Sequence, residues 1–182
     1  MKYERNLILK NGKSCLLRSA GTADAEALLG TFIRTHEETD YLLTYPEENG
    51  HTTEEEQKFL EGLENDDKGI EILAFVDGKA VGSAGINRVG AKEKIRHRAE
   101  FGISVEKAYW GLGIGRALTE ACIDCAKEAG YSQMELEVVS ENRAAISLYE
   151  SVGFKEYGRN PKGFRSRITL WQELVLMRLE LE

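Results

Sequence analysis

The stretch Tyr109-Trp110-Gly111-Leu112-Gly113-Ile114-Gly115-Arg116-Ala117-Leu118 sets glycines at alternate positions just ahead of a helical pattern. Glycine lets the main chain turn sharply and approach a ligand closely. The first turn of a helix leaves N–H groups without intrahelical partners, and with the helix dipole these suit a phosphate or diphosphate. Arg116 adds a cation at the rim. A structural turn that holds no ligand is the plainer reading of the same glycines. A P-loop, G-x-x-x-x-G-K-[ST], is absent. A dinucleotide fingerprint, G-x-G-x-x-G, fails in both registers, because Arg116 or Leu118 stands at its third glycine position.

Other reactive side chains offer less. Cys122 and Cys125 form a C-x-x-C, but a zinc site wants four ligands and no second pair or nearby His completes it. Both lie on the apolar stripe of a helical pattern, so they read as small core residues, with redox or metal chemistry as the alternative. No metal is expected. The formal net charge is -7. That surplus opposes the phosphate neutralisation on which non-specific nucleic-acid binding depends, so no nucleic-acid partner is expected. It fits either a cationic acceptor or plain solubility. No run approaches the roughly 20 apolar residues that span a bilayer, and Leu7 to Leu9 is too short for the apolar part of a signal peptide. The expectation is a cytoplasmic protein without a membrane partner.

The 182 residues suit one domain, residues 1–182, large enough to bury roughly 70% of the surface its unfolded chain exposes. The glycine loop needs a strand before it and a helix after it, and the pattern supplies both. Lys94 to Val105 alternates, with Ile95, Ala99, Phe101, Ile103 and Val105 on one side and Arg96, Arg98, Glu100 and Ser104 on the other. Ile114, Ala117, Leu118, Ala121, Cys122, Cys125 and Ala129 form the stripe of the following helix, with Gly130 as its C-terminal cap. Upstream, Asn11-Gly12 turns a hairpin between Leu7 to Leu9 and Cys15 to Leu17. Thr22 caps a helix that carries Ala25, Leu28, Leu29, Phe32 and Ile33, ending at His36. Glu37 to Gly50 is an acidic, aromatic loop, and Thr53 to Leu63 a short helix. Ile70 to Val76 and Ala80 to Val89 flank the turn Asp77-Gly78-Lys79. Downstream come a strand at Gln133 to Val139, a helix at Asn142 to Val152, and strands at Phe154 to Tyr157 and Trp171 to Leu179. This is a mixed α/β layer structure.

The loop and two further segments resemble the GNAT acetyltransferase superfamily. Trp110-Gly111-Leu112-Gly113-Ile114-Gly115 is similar to its coenzyme motif, [Gln/Arg]-x-x-Gly-x-[Gly/Ala], except that Trp110 stands at the first position. Glu100-Phe101-Gly102-Ile103-Ser104-Val105 resembles its fourth strand, and Asn142 to Phe154 its Asn-x-x-Ala-x-x-Leu-Tyr-x-x-x-Gly-Phe segment. Leu174-Val175-Leu176-Met177 is similar to its last strand. The resemblance covers roughly residues 70 to 180. It implies a mostly antiparallel sheet of about seven strands with about four helices, splayed between strands four and five.

The same resemblance implies transfer of an acetyl group from acetyl-CoA to a primary amine, directly and in a ternary complex. Its diphosphate would lie on amides from Leu112 to Ala117. A lysine-like ammonium must lose its proton at pH 7 at a cost of roughly 4.6 kcal/mol, an α-ammonium about 1.4. Glu100 is the candidate base; an ion-paired strand glutamate beside Arg98 is the alternative. A main-chain N–H around Ile103, Ser104 and Val105 would stabilise the oxyanion. Tyr149 would protonate the departing thiolate, or else belongs to the core of its helix. Asn142 would bond the pantetheine arm, or else caps that helix. The Glu37 to Gly50 loop and the final hairpin would line the cleft for a small-molecule or peptide amine, unless the loop is simply solvated. A homodimer is left open. The alternatives are an enzyme using a longer acyl-CoA, a non-catalytic acyl-CoA-binding regulatory module and, on the glycines alone, a nicotinamide-dependent enzyme.

Overall fold

The computed structural model describes residues 1–181. Its strands are β1 Glu4–Ile8, β2 Ser14–Ser19, β3 Ile70–Val76, β4 Lys79–Arg88, β5 Arg98–Val105, β6 Gln133–Val139, β7 Lys155–Ser166 and β8 Leu170–Glu180. Its α-helices are α1 Ala25–Glu37, α2 Thr53–Glu64, α3 Ile114–Glu128 and α4 Arg143–Ser151. All eight strands form one sheet in the order β1-β2-β3-β4-β5-β6-β8-β7. The resemblance implied about seven; the edge strand β1 of the Asn11-Gly12 hairpin belongs to the same sheet.

Local chemistry explains the turns. Gly12 has φ +83°, and Asp77 and Gly78 have φ +51° and +78°, the left-handed pair that a two-residue hairpin requires. Thr52 caps α2 with a full capping box, its hydroxyl accepting from Glu55 N–H at 3.2 Å. Thr22 does not cap α1. It opens a short 3-10 turn, and Asp24 stands at the α1 N-cap position, where its carboxylate is gripped by both guanidinium nitrogens of Arg18.

Two strand ends differ from the sequence reading. β5 starts at Arg98, not Lys94, because Ile95 and Arg96 both donate to the Lys92 carbonyl at 2.9 Å. Those tight turns use the groups a ladder would need. β7 runs to Ser166, well past Tyr157. Its register against β8 slips twice, at Glu156/Gly158 and Asn160/Phe164, so no alternation shows in its sequence.

The sheet has two faces. Leu73 and Ala80 pack with Leu28 of α1 and Leu60 of α2 on one face. Ile72, Ala84 and Ile86 pack with Ile114, Leu118, Cys122 and Cys125 of α3 on the other. Burial lifts both thiols, Cys125 to about 11, consistent with cysteine used as a small apolar side chain. None of the described helices is long and apolar enough to cross a membrane.

The sheet parts in the middle. β5 and β6 are its parallel pair, and they pair only at Arg98, Ala99 and Glu100, opposite Gln133, Met134 and Glu135. Beyond Glu100 the strands diverge. A bidentate ion pair from Arg98 to Glu135 bolts the closed end. The open end leaves one edge of Phe101 to Val105 without a strand neighbour.

Candidate active site

The glycine loop stands beside this opening. Gly111 and Gly113 have φ +74° and +104°, angles that cost other L-residues about 1–2 kcal/mol. A Cβ on either would meet nothing within 4 Å, so the space over them is free. Among the described residues, no protein acceptor receives the N–H groups of Gly111 through Arg116. Ala117 differs: its N–H donates to the Gly113 carbonyl at 3.1 Å, and the residue is buried. The free amides therefore end at Arg116, one residue short of the expected run. The run ends in the first turn of α3, where unpaired N–H groups and the helix dipole favour an anion.

Gly111, Gly113, Gly115 and Arg116 border a cavity of about 450 Å³ inside the splay. Ile103, Ser104, Val105, Trp110, Gly111, Gly113, Gly115, Arg116, Asn142 and Tyr149 all line it. Leu112 and Ile114, expected among the binding residues, do not line it: Ile114 is fully buried, and the Leu112 carbonyl accepts from Lys10 N–H at 3.2 Å. That bond ties the β1–β2 turn to the loop and brings Lys10 to the cavity rim. Thr35, Thr39 and Tyr41 join from the end of α1 and beyond. No local pattern marks these contributors; only the fold brings them there.

The open edge of β5 has a definite polarity. Glu106 donates its N–H to Val81 of β4 at 2.9 Å. Main-chain groups alternate along a strand, so the N–H groups of Val105 and Ile103 point the other way, toward the departed β6. They are the donors available for a developing oxyanion.

Tyr149 lies on α4, wedged between Phe101 and Phe154 at centroid distances of 6.2 and 5.9 Å. It is thus both a core residue and a cavity residue. Its hydroxyl has no protein partner among the described residues. Burial pushes the phenol well above its ordinary value, so it stays protonated. Asn142 caps α4, its side-chain oxygen accepting from Ala145 N–H at 3.3 Å, which leaves its NH₂ for the cavity. The Trp110 indole donates to the Val105 carbonyl at 2.6 Å, so this ring braces the end of β5 rather than offering a charge. Arg116 donates to Ser151 at 2.6 Å.

Glu100 is not brought to this cavity. It sits on the last paired rung of β5, exposed, opposite Asn87 and Glu135. The ion pair expected for it is made by Glu135 with Arg98 instead. The acidic loop does meet the final hairpin, around a cavity of about 500 Å³ that includes Trp110 and Trp171. Its acids are largely engaged there. Asp40 accepts from Ser166 at 2.6 Å and Gln172 at 3.1 Å, Glu47 pairs with Arg167, and Glu38 accepts the Lys107 N–H. Asp40 and Glu47 hold the β7–β8 turn in place.

Known proteins share this architecture. An acetyltransferase of the GNAT family from Streptococcus pneumoniae superposes with a TM-score of 0.87 at 30% identity, over 91% of this chain and 99% of its own. A structure of yncA from Salmonella typhimurium, described with its cofactor acetyl-CoA, shares the fold with a TM-score of 0.81 at 23% identity, over 92% of this chain and 94% of its own. In sequence, the N-alpha-acetyltransferase RimI of Mycobacterium tuberculosis is 39% identical over 88 residues, 48% of this chain and 53% of that protein. The chain therefore spans about half the length of this curated relative. Residues 32–154 match the model of the acetyltransferase (GNAT) family, and the chain belongs to that family.

Proposed function

We propose that this chain moves the acetyl group of acetyl-CoA to a primary amine, by direct transfer within a ternary complex. One observation carries the reading: Gly111, Gly113, Gly115 and Arg116, whose amides have no partner among the described residues, border the same cavity as two outward N–H groups on a split strand and one buried phenol. The residues fit the coenzyme. Gly111 to Arg116 would hold its diphosphate, with Lys10 and Arg116 adding charge at the rim. The Asn142 NH₂ would bond the amide-bearing arm. When bound, acetyl-CoA supplies a thioester, an acyl group already activated for attack.

The chain's own groups do the rest. Ile103 or Val105 N–H stabilises the oxyanion that forms as the amine adds to the carbonyl. Tyr149 delivers its proton to the departing sulfur. Its raised proton affinity suits this task, because a thiolate leaving within the same apolar walls is desolvated and more basic as well. A buried phenol also leaks no proton to water beforehand.

The test is titration calorimetry with acetyl-CoA, followed by free-thiol release across a panel of amines. Micromolar affinity and amine-dependent release are expected. Absence of affinity for every coenzyme A species ends this reading. Affinity without release from any amine would favour a regulatory module, and propionyl- or succinyl-CoA reacting faster than acetyl-CoA would favour a longer donor.

A further inference from the structure

A third cavity, of about 350 Å³, lies on the α1/α2 face of the sheet. It meets the coenzyme-side cavity at one residue, Ser104, which lines both. Thr35 of α1 donates to the Ser104 hydroxyl at 3.2 Å and also reaches the coenzyme side. The carbonyl to be attacked would lie beside Ile103 to Val105, so this cavity adjoins it at Ser104.

One rung of the sheet runs Glu71, Gly85, Gly102 across β3, β4 and β5. A Cβ on Gly85 would meet Glu71 Oε2 at 2.2 Å, so the carboxylate lies directly over that glycine. A Cβ on Gly102 would meet nothing within 4 Å. The two glycines open a trench from the Glu71 carboxylate toward β5. Ser83 and Ser104 form the next rung on the same face.

The walls have a distinct chemistry. Leu28, Leu29, Phe32 and Phe59 are apolar, while Glu48, Glu56 and Glu71 are acidic. Among the described residues no lysine or arginine lines the cavity, and the one basic group there, His51, bonds Glu56 at 3.0 Å. A ligand carboxylate here would face acids with no free cation to balance it.

We propose that this cavity receives the acceptor, a primary amine on an apolar body with no carboxylate beside it, and that Glu71 takes the ammonium proton. This rests on the acetyltransferase reading above. The ammonium gives one proton to Glu71 through water in the trench, since the carboxylate lies one strand from β5, and its freed lone pair forms the C–N bond. The C–S bond breaks, and the sulfur takes a proton from Tyr149. The second proton lost by nitrogen restores Tyr149, and the Glu71 proton passes to water. The net products are an amide, a free thiol and one proton.

Glu71 is suited to this. Burial raises its proton affinity most, the Ser83 hydroxyl opposes that, and the like charge of Glu56 adds to it, bringing the group to about 7. Near neutrality it is partly ionised, the best state for a general base. The ionisable groups around it are Glu56 on α2, His51 and Glu48 from the preceding loop, Glu100 on the same face of β5, and the Cys122 thiol from α3 across the sheet.

The experiment compares 2-phenylethylamine with L-phenylalanine and L-phenylalaninamide, in the parent protein and in Glu71→Gln, Gly85→Ala and Glu100→Gln. Thiol release with 2-phenylethylamine and phenylalaninamide should exceed that with phenylalanine at least tenfold in kcat/KM, about 1.4 kcal/mol. Glu71→Gln should keep its acetyl-CoA affinity, lose turnover by about 100-fold and lose the acid limb near pH 7. Gly85→Ala crowds the Glu71 carboxylate at 2.2 Å and the Ile70 carbonyl at 2.9 Å, so it displaces the carboxylate without removing it and should lose turnover in the same way. Thermal melts confirm that each variant is folded. Equal use of phenylalanine, or no thiol release with 2-phenylethylamine and phenylalaninamide, overturns the acceptor assignment. A Glu71→Gln protein with parental turnover, or a loss seen only in Glu100→Gln, overturns the role of Glu71. Either can happen with acetyl-CoA still bound and thiol still released, which leaves the transferase reading standing.

Discussion

The coenzyme-side cavity takes its anion-binding groups from the main chain of one short stretch, Gly111 to Arg116, whereas the cavity beside Glu71 takes its groups from side chains on α1, α2, β3, β4 and β5. The first depends on backbone angles and tolerates many side chains. The second depends on who is packed beside whom. A loop built from amides is a property of local sequence, because only glycine accepts the angles at 111 and 113. A carboxylate that titrates near neutrality is a property of its neighbours, because desolvation comes from residues distant in the chain. The two regions should therefore fail differently when altered.

The largest expected effect is on chemistry. Tyr149→Phe removes the proton donor but leaves the amide cradle, so kcat should fall by about 100-fold or more while acetyl-CoA affinity stays within about twofold. Steady-state kinetics with calorimetry checks this, and unchanged kcat would remove Tyr149 from the reaction. Next comes the cradle itself. Gly113→Val forces a β-branched residue to φ +104°, and coenzyme affinity should weaken by about 10- to 100-fold. An affinity equal to the parent's would show that the cradle does not hold the diphosphate.

The smallest effect concerns stability and belongs to the other cavity. The folded state holds the Glu71 proton up to about pH 7, whereas the unfolded chain releases it near 4.5. Between those values the folded state binds more protons, so this group costs stability as pH rises through the window. Glu71→Gln should remove that cost. Its melting temperature relative to the parent should rise between pH 5 and pH 8, by the equivalent of roughly 1 kcal/mol once access to cavity water is allowed for. A difference between the proteins that is the same at both pH values would show that Glu71 is an ordinary solvated acid.

How much was legible follows the same division. The hairpin at Asn11-Gly12, the strand Gln133–Val139, the stripe of α3 and the glycine loop announce themselves through turn chemistry and period. β7 does not, because its two register slips break the alternation that marks a strand. Lys94 to His97 shows alternation that its own tight turns override. The acidity of Glu37 to Gly50 was visible, but not that Ser166, Gln172 and Arg167 would claim much of it. Glu100 and Glu71 both sit on strands, with nothing local to tell them apart. Packing leaves one exposed beside Glu135 and folds the other over Gly85 into a partly apolar cavity.

The sequence by itself determined the amide cradle, since backbone angles are set within a few residues and glycine at 111 and 113 is sufficient to permit them. It also set the strand, helix and cap around that cradle through hydrophobic period. Only the tertiary structure decided that Ser104 joins two cavities and which glutamate is packed into one of them. Burial and proximity are sums over residues that are far apart in the chain, so no local stretch carries them.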